Sequence, residues 1–126
     1  MTVPPDRTVL ALCADLLFAA RIRGVAEQVG VPVVTLTGGR DVVSRLRAQP
    51  PVRLLLDLDA RWLDGVGLLR ELKADAALRS IDVVAFVSHV REAAIAEARA
   101  AGADRVLARS AFVRQLPALL RGDEAA

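Results

Sequence analysis

The residues best suited to chemistry lie in one stretch, LLLDLDARWLDG, at positions 54–65. A mostly apolar run, 52–56, ends in Asp57, and further carboxylates follow at Asp59 and Asp64. Carboxylates serve in acid–base catalysis and bind hard metal ions, which makes this stretch the first candidate for a functional site. The stretch also poses a structural question, because a strand apolar enough to be buried ends on an acid.

Few other residues suit catalysis. Cys13 is the only cysteine and His89 the only histidine, so a disulfide framework and a cysteine zinc site are excluded and histidine-based triads are disfavoured. The glycines of TLTGGRD, 35–41, lack the spacing of GxGxxG and of the P-loop lysine motif, and we interpret them as a tight turn. Nucleophile-elbow and HExxH patterns are also missing. We therefore expect that the protein is not an enzyme.

Length and composition predict a single domain, 1–126, with its core at about 7–121. A chain of 126 residues that is 54% hydrophobic can bury one substantial core. The opening MTVPPDR lacks the basic and apolar regions of a signal peptide, and no apolar run approaches the roughly 20 residues of a membrane span. These features predict a cytoplasmic protein that does not insert into membranes.

The charge pattern argues against nucleic-acid binding. The net charge is only +2, and the basic residues are spread from Arg7 to Arg121 without forming a block. The chain has no tyrosine and only three phenylalanines, so aromatic platforms for stacking bases are not expected. We interpret the charges as a solvated surface.

Short apolar runs alternate with segments of helical periodicity along the whole chain. The predicted strands are 8–13, 31–36, 52–57, 82–87 and 105–108. The predicted helices are 16–29, 40–48, 66–75, 92–101 and 111–120. Gly30 and Gly102 lie where helices end, and Asp64 and Ser110 are candidate N-caps.

This alternation predicts an α/β fold with a doubly wound parallel sheet of five strands. Strands that are apolar throughout must be covered on both faces, and right-handed crossovers place helices on either side. In such folds the functional crevice lies at the carboxyl ends of the strands. We therefore expect Asp57 to leave the core at the end of its strand and to stand at the mouth of this crevice.

Three segments resemble the receiver domain of two-component response regulators, of the single-domain chemotaxis type. They are VRLLLDLDARWLDGVGLLRELKAD, IDVVAFVSH and ARAAGADRVLARSAF, within a likeness that covers about 7–121. The resemblance implies a flavodoxin-like receiver fold with strand order 2-1-3-4-5. It also implies that Asp57 is the phosphoacceptor, which would take a phosphoryl group from a histidine kinase.

The sequence departs from the family at most of the other site positions. The family's acidic pair, which holds Mg²⁺, corresponds to Cys13 and Ala14. Its hydroxyl corresponds to Val87, its lysine to Arg109 and its aromatic switch residue to Val106. Because a hard divalent cation needs several oxygen ligands, we expect Mg²⁺ binding to be weak or absent.

Neighbouring residues offer partial substitutes, each with a plainer interpretation. Asp15 could complete a weak metal site with Asp57 and Asp59, or it could cap the helix 16–29. In the family, Asp59 would give the metal only its backbone carbonyl, so we expect a solvated side chain. Ser88 could contact a phosphoryl group or cap a helix. Arg109 could contact a phosphoryl group or form a salt bridge with Asp57.

Three further residues near the strand ends have two interpretations each. Trp62 is either a lid over the Asp57 loop or an exposed anchor for a partner. His89 is either a plain loop residue or a phosphate contact. We expect Cys13 to be a buried core residue and not a reactive thiol.

The predicted interaction surface is the face made by the fourth helix, the fifth strand and the fifth helix, which carries the output in the family. Its predicted contact residues are Ala93, Ala96, Arg105, Val106 and Arg114. Small side chains would allow a protein partner or a second copy of the chain to approach closely. The alternative is that the alanines only favour helix formation.

Two functions follow from these observations. The first is a degenerate, stand-alone receiver that binds other proteins independently of phosphorylation and needs no cofactor. The second is a working phosphorelay receiver with an atypical site, phosphorylated on Asp57 and dependent on Mg²⁺. A flavodoxin-like enzyme or nucleotide binder is a third class, which the missing phosphate loop disfavours.

Overall fold

The computed structural model describes residues 7–88 and 91–122, in which strands and helices alternate as predicted. The strands are β1 (Val9–Leu12), β2 (Val33–Leu36), β3 (Arg53–Asp57), β4 (Asp82–Val87) and β5 (Arg105–Ala108). The helices are α1 (Leu16–Val29), α2 (Val42–Ala48), α3 (Gly65–Ala74), α4 (Glu92–Ala101) and α5 (Arg109–Arg121).

The five strands form one parallel sheet in the order β2-β1-β3-β4-β5, which confirms the predicted α/β fold of the receiver type. Alternate strand residues face two apolar clusters. One cluster joins the sheet to α1 and α5, and the other joins it to α2, α3 and α4. The helices thus cover both faces of the sheet, as strands that are apolar throughout require.

Helix ends follow the local cap chemistry. The Asp64 side chain accepts a hydrogen bond from the Gly67 N–H at 3.0 Å, which confirms Asp64 as the N-cap of α3. Gly30 and Gly102 end α1 and α4 with φ of 71° and 121°, a backbone region that L side chains rarely adopt. The prediction that Ser110 caps the last helix is wrong, because α5 begins at Arg109.

The second helix also starts later than predicted. It begins at Val42 and not at Arg40, because the Asp41 side chain accepts from the Ser44 N–H at 3.3 Å and forms the cap. Among the described residues, no helix is both long and apolar enough to cross a membrane.

Candidate functional site

Asp57 is the last residue of β3, at the carboxyl edge of the sheet, where the sequence predicts it. Its surroundings are not the predicted ones. Asp57 is only 1% exposed, and Cys13, which follows the adjacent β1, is fully buried. The prediction that Asp57 stands in an open crevice mouth is therefore wrong. The prediction that Cys13 is a core residue is confirmed.

Two backbone groups hold the Asp57 carboxylate. Its Oδ2 accepts a hydrogen bond from the Ala14 N–H and its Oδ1 accepts one from the Asp59 N–H, both at 3.0 Å. Burial raises the pKa of Asp57 above its usual value, and the two N–H groups oppose this effect by stabilising the charged form. The carboxylate is thus enclosed, with a backbone donor on each oxygen.

Trp62 closes the site from the loop after β3. Its Nε1–H donates to the Cys13 carbonyl at 2.8 Å, and its half-buried ring packs against the apolar cluster beneath α2, α3 and α4. This geometry favours the lid interpretation, since an anchor for a partner would project into solvent. The bond ties the loop after β3 to the end of β1.

The positive charge of Arg109 opposes the burial that raises the pKa of Asp57, but the Arg109 side chain contacts other groups. Its guanidinium lies 4.0 Å from the centroid of the Phe18 ring, and its Nη1 donates to the Ser88 Oγ at 3.4 Å. No ion pair joins Arg109 to Asp57 among the described residues, so the predicted salt bridge is wrong. A cation over an aromatic face has its own stabilisation, and the backbone donors already satisfy the carboxylate.

The remaining acidic candidates have structural partners of their own. The Asp15 Oδ1 accepts from the Phe18 N–H at 2.8 Å and caps α1, in agreement with its plainer interpretation. The Asp59 Oδ2 accepts from the Ser88 N–H at 2.6 Å, and the residue is half-buried. Ser88 is not a helix cap either, because the N-cap of α4 is Arg91.

The candidate metal set does not assemble. Within 7–88 and 91–122 no three acidic, histidine or cysteine side chains are grouped to hold a metal ion, so Asp57, Asp15 and Asp59 are not one cluster. At the family's acidic-pair positions, Ala14 offers no ligand. Burial raises the pKa of the Cys13 thiol to about 12, which keeps it neutral. These donors do not fit Mg²⁺, which prefers charged oxygen ligands.

The residues of the predicted interaction surface differ in accessibility. Ala93, Ala96 and Arg114 are exposed, and Arg105 is half-buried. Val106 is only 7% exposed and belongs to the cluster beneath α2, α3 and α4, so naming it as a contact residue was wrong. Its side chain leaves β5 on the face of the sheet that α2, α3 and α4 cover. His89 lies outside the described residues.

Sequence reasoning missed one residue of the site, Phe18. This residue of α1 is 5% exposed, and its ring lies under the Arg109 guanidinium. It also packs 5.3 Å from Phe86 and 6.0 Å from Phe112, measured between ring centroids. The helical periodicity marks Phe18 as a core residue, but no pattern in the sequence relates it to a position so far along the chain.

The raised pKa of Asp57 predicts how stability depends on pH. Well below the ordinary value of 3.8, the carboxyl is protonated in both the folded and the unfolded state and its burial as an ion costs nothing. As the pH rises, the unfolded chain ionises first, near the ordinary value of 3.8, while the folded protein still holds the proton. Stability is therefore lost as the pH rises toward the folded-state pKa, and above it the loss is constant.

Asp57→Asn removes this titration, so the difference in unfolding free energy, variant minus wild type, should grow between pH 4 and pH 7. We expect an increase on the order of 1 kcal/mol, measured by urea denaturation at both pH values. Asp15→Asn, which changes an exposed cap, is the matched control and should not reproduce this trend. A difference that shrinks with rising pH would contradict the prediction.

Comparison by sequence found no matching family model and no matching curated protein. Comparison by structure found many related folds. The signal receiver domain of a DNA-binding response regulator from Colwellia psychrerythraea 34H matches with a TM-score of 0.77 at 18% identity, covering 90% of this chain and 98% of that one. The signal receiver domain of a response regulator from Bermanella marisrubri matches with a TM-score of 0.71 at 25% identity, covering 82% and 85%.

A third structure was solved with ligands in place. It is a response regulator from Burkholderia pseudomallei with a phosphorylated aspartic acid, a calcium ion and citrate, and it matches with a TM-score of 0.76 at 20% identity. The match covers 90% of this chain and 66% of that one. Structural relatives thus include a form that carries both a divalent cation and a phosphorylated aspartate.

Proposed function

We propose that this chain, which has the fold of response-regulator receiver domains, is a degenerate receiver that works as a protein interaction module independently of phosphorylation. The observation that carries the proposal is the enclosure of Asp57, which is 1% exposed and hydrogen-bonded by backbone on both oxygens. On this proposal the chain is a signalling protein that binds others, and it is not an enzyme.

An enclosed carboxyl is a poor phosphoacceptor. Attack on a phosphorus atom needs an ionised oxygen with an open line of approach. Burial raises the pKa of Asp57, so the ionised form is less stable here than in water, and the bond from Trp62 to the Cys13 carbonyl closes the loops around the site. A phosphoryl group added here would also lack a fitted metal ion to balance its charge.

The residues at the relay positions support the same proposal. In the family, a hydroxyl and an aromatic residue transmit phosphorylation to the output face, and here these positions hold Val87 and Val106, which are 4% and 7% exposed. Both side chains are packed apolar groups without a hydrogen bond to switch. A ligand shifts a two-state equilibrium only by its differential affinity for the two states, and these residues provide little of it.

The proposed binding surface, called the α4-β5-α5 face, consists of the exposed sides of α4 and α5 and the edge of β5 between them. Among the described strands β5 is at the end of the sheet and pairs only with β4. Ala93 and Ala96 are exposed on α4 and leave room for close approach. We propose that this face binds a protein partner, including a second copy of the chain.

The alternative function is a working phosphorelay receiver that a histidine kinase phosphorylates on Asp57. One observation favours it. Ser88 and Arg109 lie side by side, and the Ser88 N–H also reaches Asp59. A hydroxyl and a cation are thus together near the strand ends, where they could contact a phosphoryl group if the loop after β3 opened.

The two functions differ in how association responds to substitution. We expect Asp57→Ala to leave self-association and partner binding unchanged, because the site is not coupled to the face. Ala96→Glu should weaken association about tenfold, because it places a charge and a longer side chain in the contact. Sedimentation equilibrium measures self-association. A pull-down with a partner identified for the wild type measures partner binding.

Ala20→Glu is the matched control for Ala96→Glu. Ala20 is an exposed alanine on α1, a helix that is not part of the α4-β5-α5 face, so the same chemical change there should have no effect. The proposal fails if Asp57→Ala abolishes association while Ala96→Glu leaves it intact. The working receiver would then take its place.

A further inference from the structure

A groove of about 980 Å³ opens between α2 and α3. It adjoins the candidate site without including Asp57, and Trp62 forms part of its wall. It is also separate from the α4-β5-α5 face, because none of its lining residues lies on α4, β5 or α5. Neither the receiver site nor the proposed binding face accounts for it.

The floor of the groove is apolar. Val42 and Leu68 are buried there, and Val43, Trp62 and Leu63 are half-buried on the same apolar cluster. The floor is thus a continuation of the core that α2 and α3 leave partly uncovered. An apolar floor of this kind is stabilised when another apolar surface removes it from water.

The rim of the groove is acidic. Four carboxylates line it and one guanidinium, that of Arg47. Arg47 is already paired, since its Nη2 lies 2.7 Å from the Asp75 Oδ2. Among the described residues that line the groove, no cation remains to pair with the other three acids, Asp41, Asp64 and Glu71, and all three are exposed. The groove is therefore locally negative on a chain whose net charge is +2.

We propose that this groove binds a basic amphipathic helix of a partner protein. An apolar floor with an acidic rim complements a helix that has an apolar stripe flanked by lysine or arginine. Its lining residues lie on α2, on α3 and in the loops beside these helices, and none of them lies in a described strand, so the groove offers no strand edge to an extended peptide. A helical ligand satisfies its own backbone and needs only side-chain contacts here.

The probe for this proposal is an amphipathic peptide of about 15 residues, long enough to follow α3 at 1.5 Å per residue, with leucine on one face and lysine on the other. Trp62 is the only tryptophan of the chain and lines the groove, so its fluorescence reports binding directly. We expect saturable binding with a blue shift of the emission, weakened by added salt.

Two charge reversals test where the peptide binds. Glu71→Arg, on the rim, should weaken binding about fivefold, because an attraction between exposed charges becomes a repulsion. Glu27→Arg is the matched control, since Glu27 is exposed on α1 across the sheet and the change in net charge is the same. The affinity of the Glu27→Arg variant for the peptide should stay within about twofold of that of the wild type.

A third variant tests the apolar floor. Val43→Ser removes apolar surface from a half-buried residue of the floor and should weaken binding without changing its dependence on salt. The proposal is overturned if the peptide does not bind, or if a peptide with glutamate in place of lysine binds as well. It is also overturned if Glu71→Arg and Glu27→Arg weaken binding equally, which would indicate attraction to the whole chain.

Discussion

Phe86→Ala should lower the free energy of unfolding by about 3–5 kcal/mol, the range usual for removing a fully buried aromatic side chain. Phe86 is a residue of β4 with no exposed surface, and its ring is stacked on Phe112 with 4.0 Å between centroids. Phe18 packs against it from α1 at 5.3 Å. These three rings join α1, the sheet and α5, so the cavity left by the change is enclosed on both sides.

Urea denaturation measures this loss, and Phe86→Leu is the control. Leucine keeps most of the apolar volume, so we expect it to cost less than half as much. A loss below about 1.5 kcal/mol for Phe86→Ala would mean that the neighbouring rings collapse into the cavity. That result would contradict the expectation that the packing around Phe86 leaves an enclosed cavity.

The same rings also determine where the cation of the site lies. Phe86 is opposite Asp57 in the sheet, and its carbonyl accepts the Leu58 N–H at 3.0 Å. Phe18 supports the Arg109 guanidinium on its outer surface. Packing on the α1 and α5 side of the sheet thus positions the end of β3, which carries Asp57. It also positions the Arg109 guanidinium, which forms no ion pair with Asp57.

The fold could be predicted because its causes are repeated along the chain. Each strand is a short apolar run and each helix has apolar residues at spacings of three and four, so the alternation itself indicates a parallel sheet covered on both faces. Errors were confined to the ends of elements. The start of α2 depends on the cap formed by Asp41, and that of α5 on the backbone of Ala108, which single positions in the sequence do not reveal.

The interior of the site could not be predicted, because its contacts join residues that are distant in sequence. The Ala14 N–H and the Asp57 carboxylate are 43 positions apart, and Trp62 reaches the Cys13 carbonyl across 49. The sequence identifies an acid at the end of a strand, but burial depends on which loops close over it. The contact between Arg109 and Phe18 also joins residues that are distant in sequence. Charge alone would predict that Arg109 pairs with Asp57.

The acidic groove illustrates the same limit. Asp64 caps α3 and Glu71 lies further along the same helix, whereas Asp41 caps α2, and the sequence alone does not place these three acids together. Only the packing of α2 beside α3 brings them to one rim. Local charge of this kind is a property of the folded surface, which a net charge of +2 does not indicate.

Ala14→Asp should convert the site from one without measurable affinity for Mg²⁺ into one with millimolar affinity. The Ala14 N–H donates to the Asp57 Oδ2 at 3.0 Å, so a side chain at this position starts beside the carboxylate. A second carboxylate there provides the pair of charged oxygen ligands that a hard cation needs. Ala14 is exposed, so the longer side chain has room.

Mg²⁺ titration followed by Trp62 fluorescence tests the prediction, since this ring closes the site. The wild type should show no saturable change at millimolar Mg²⁺, the variant should show one, and Asp57→Ala in the variant should abolish it. Ala14→Asn, which adds the shape without the charge, is the matched control and should behave as the wild type does. Saturable quenching in the wild type that Asp57→Ala removes would show that the natural site already binds the metal.

Thermal stability gives an independent measure of the same affinity. Two carboxylates side by side repel each other, so Ala14→Asp should be less stable than the wild type without metal. Mg²⁺ that binds only the folded variant should recover about 1.4 kcal/mol at a concentration ten times the dissociation constant, whereas the wild type should gain nothing. If the two proteins respond equally, the missing acidic pair is not what keeps this site from binding Mg²⁺.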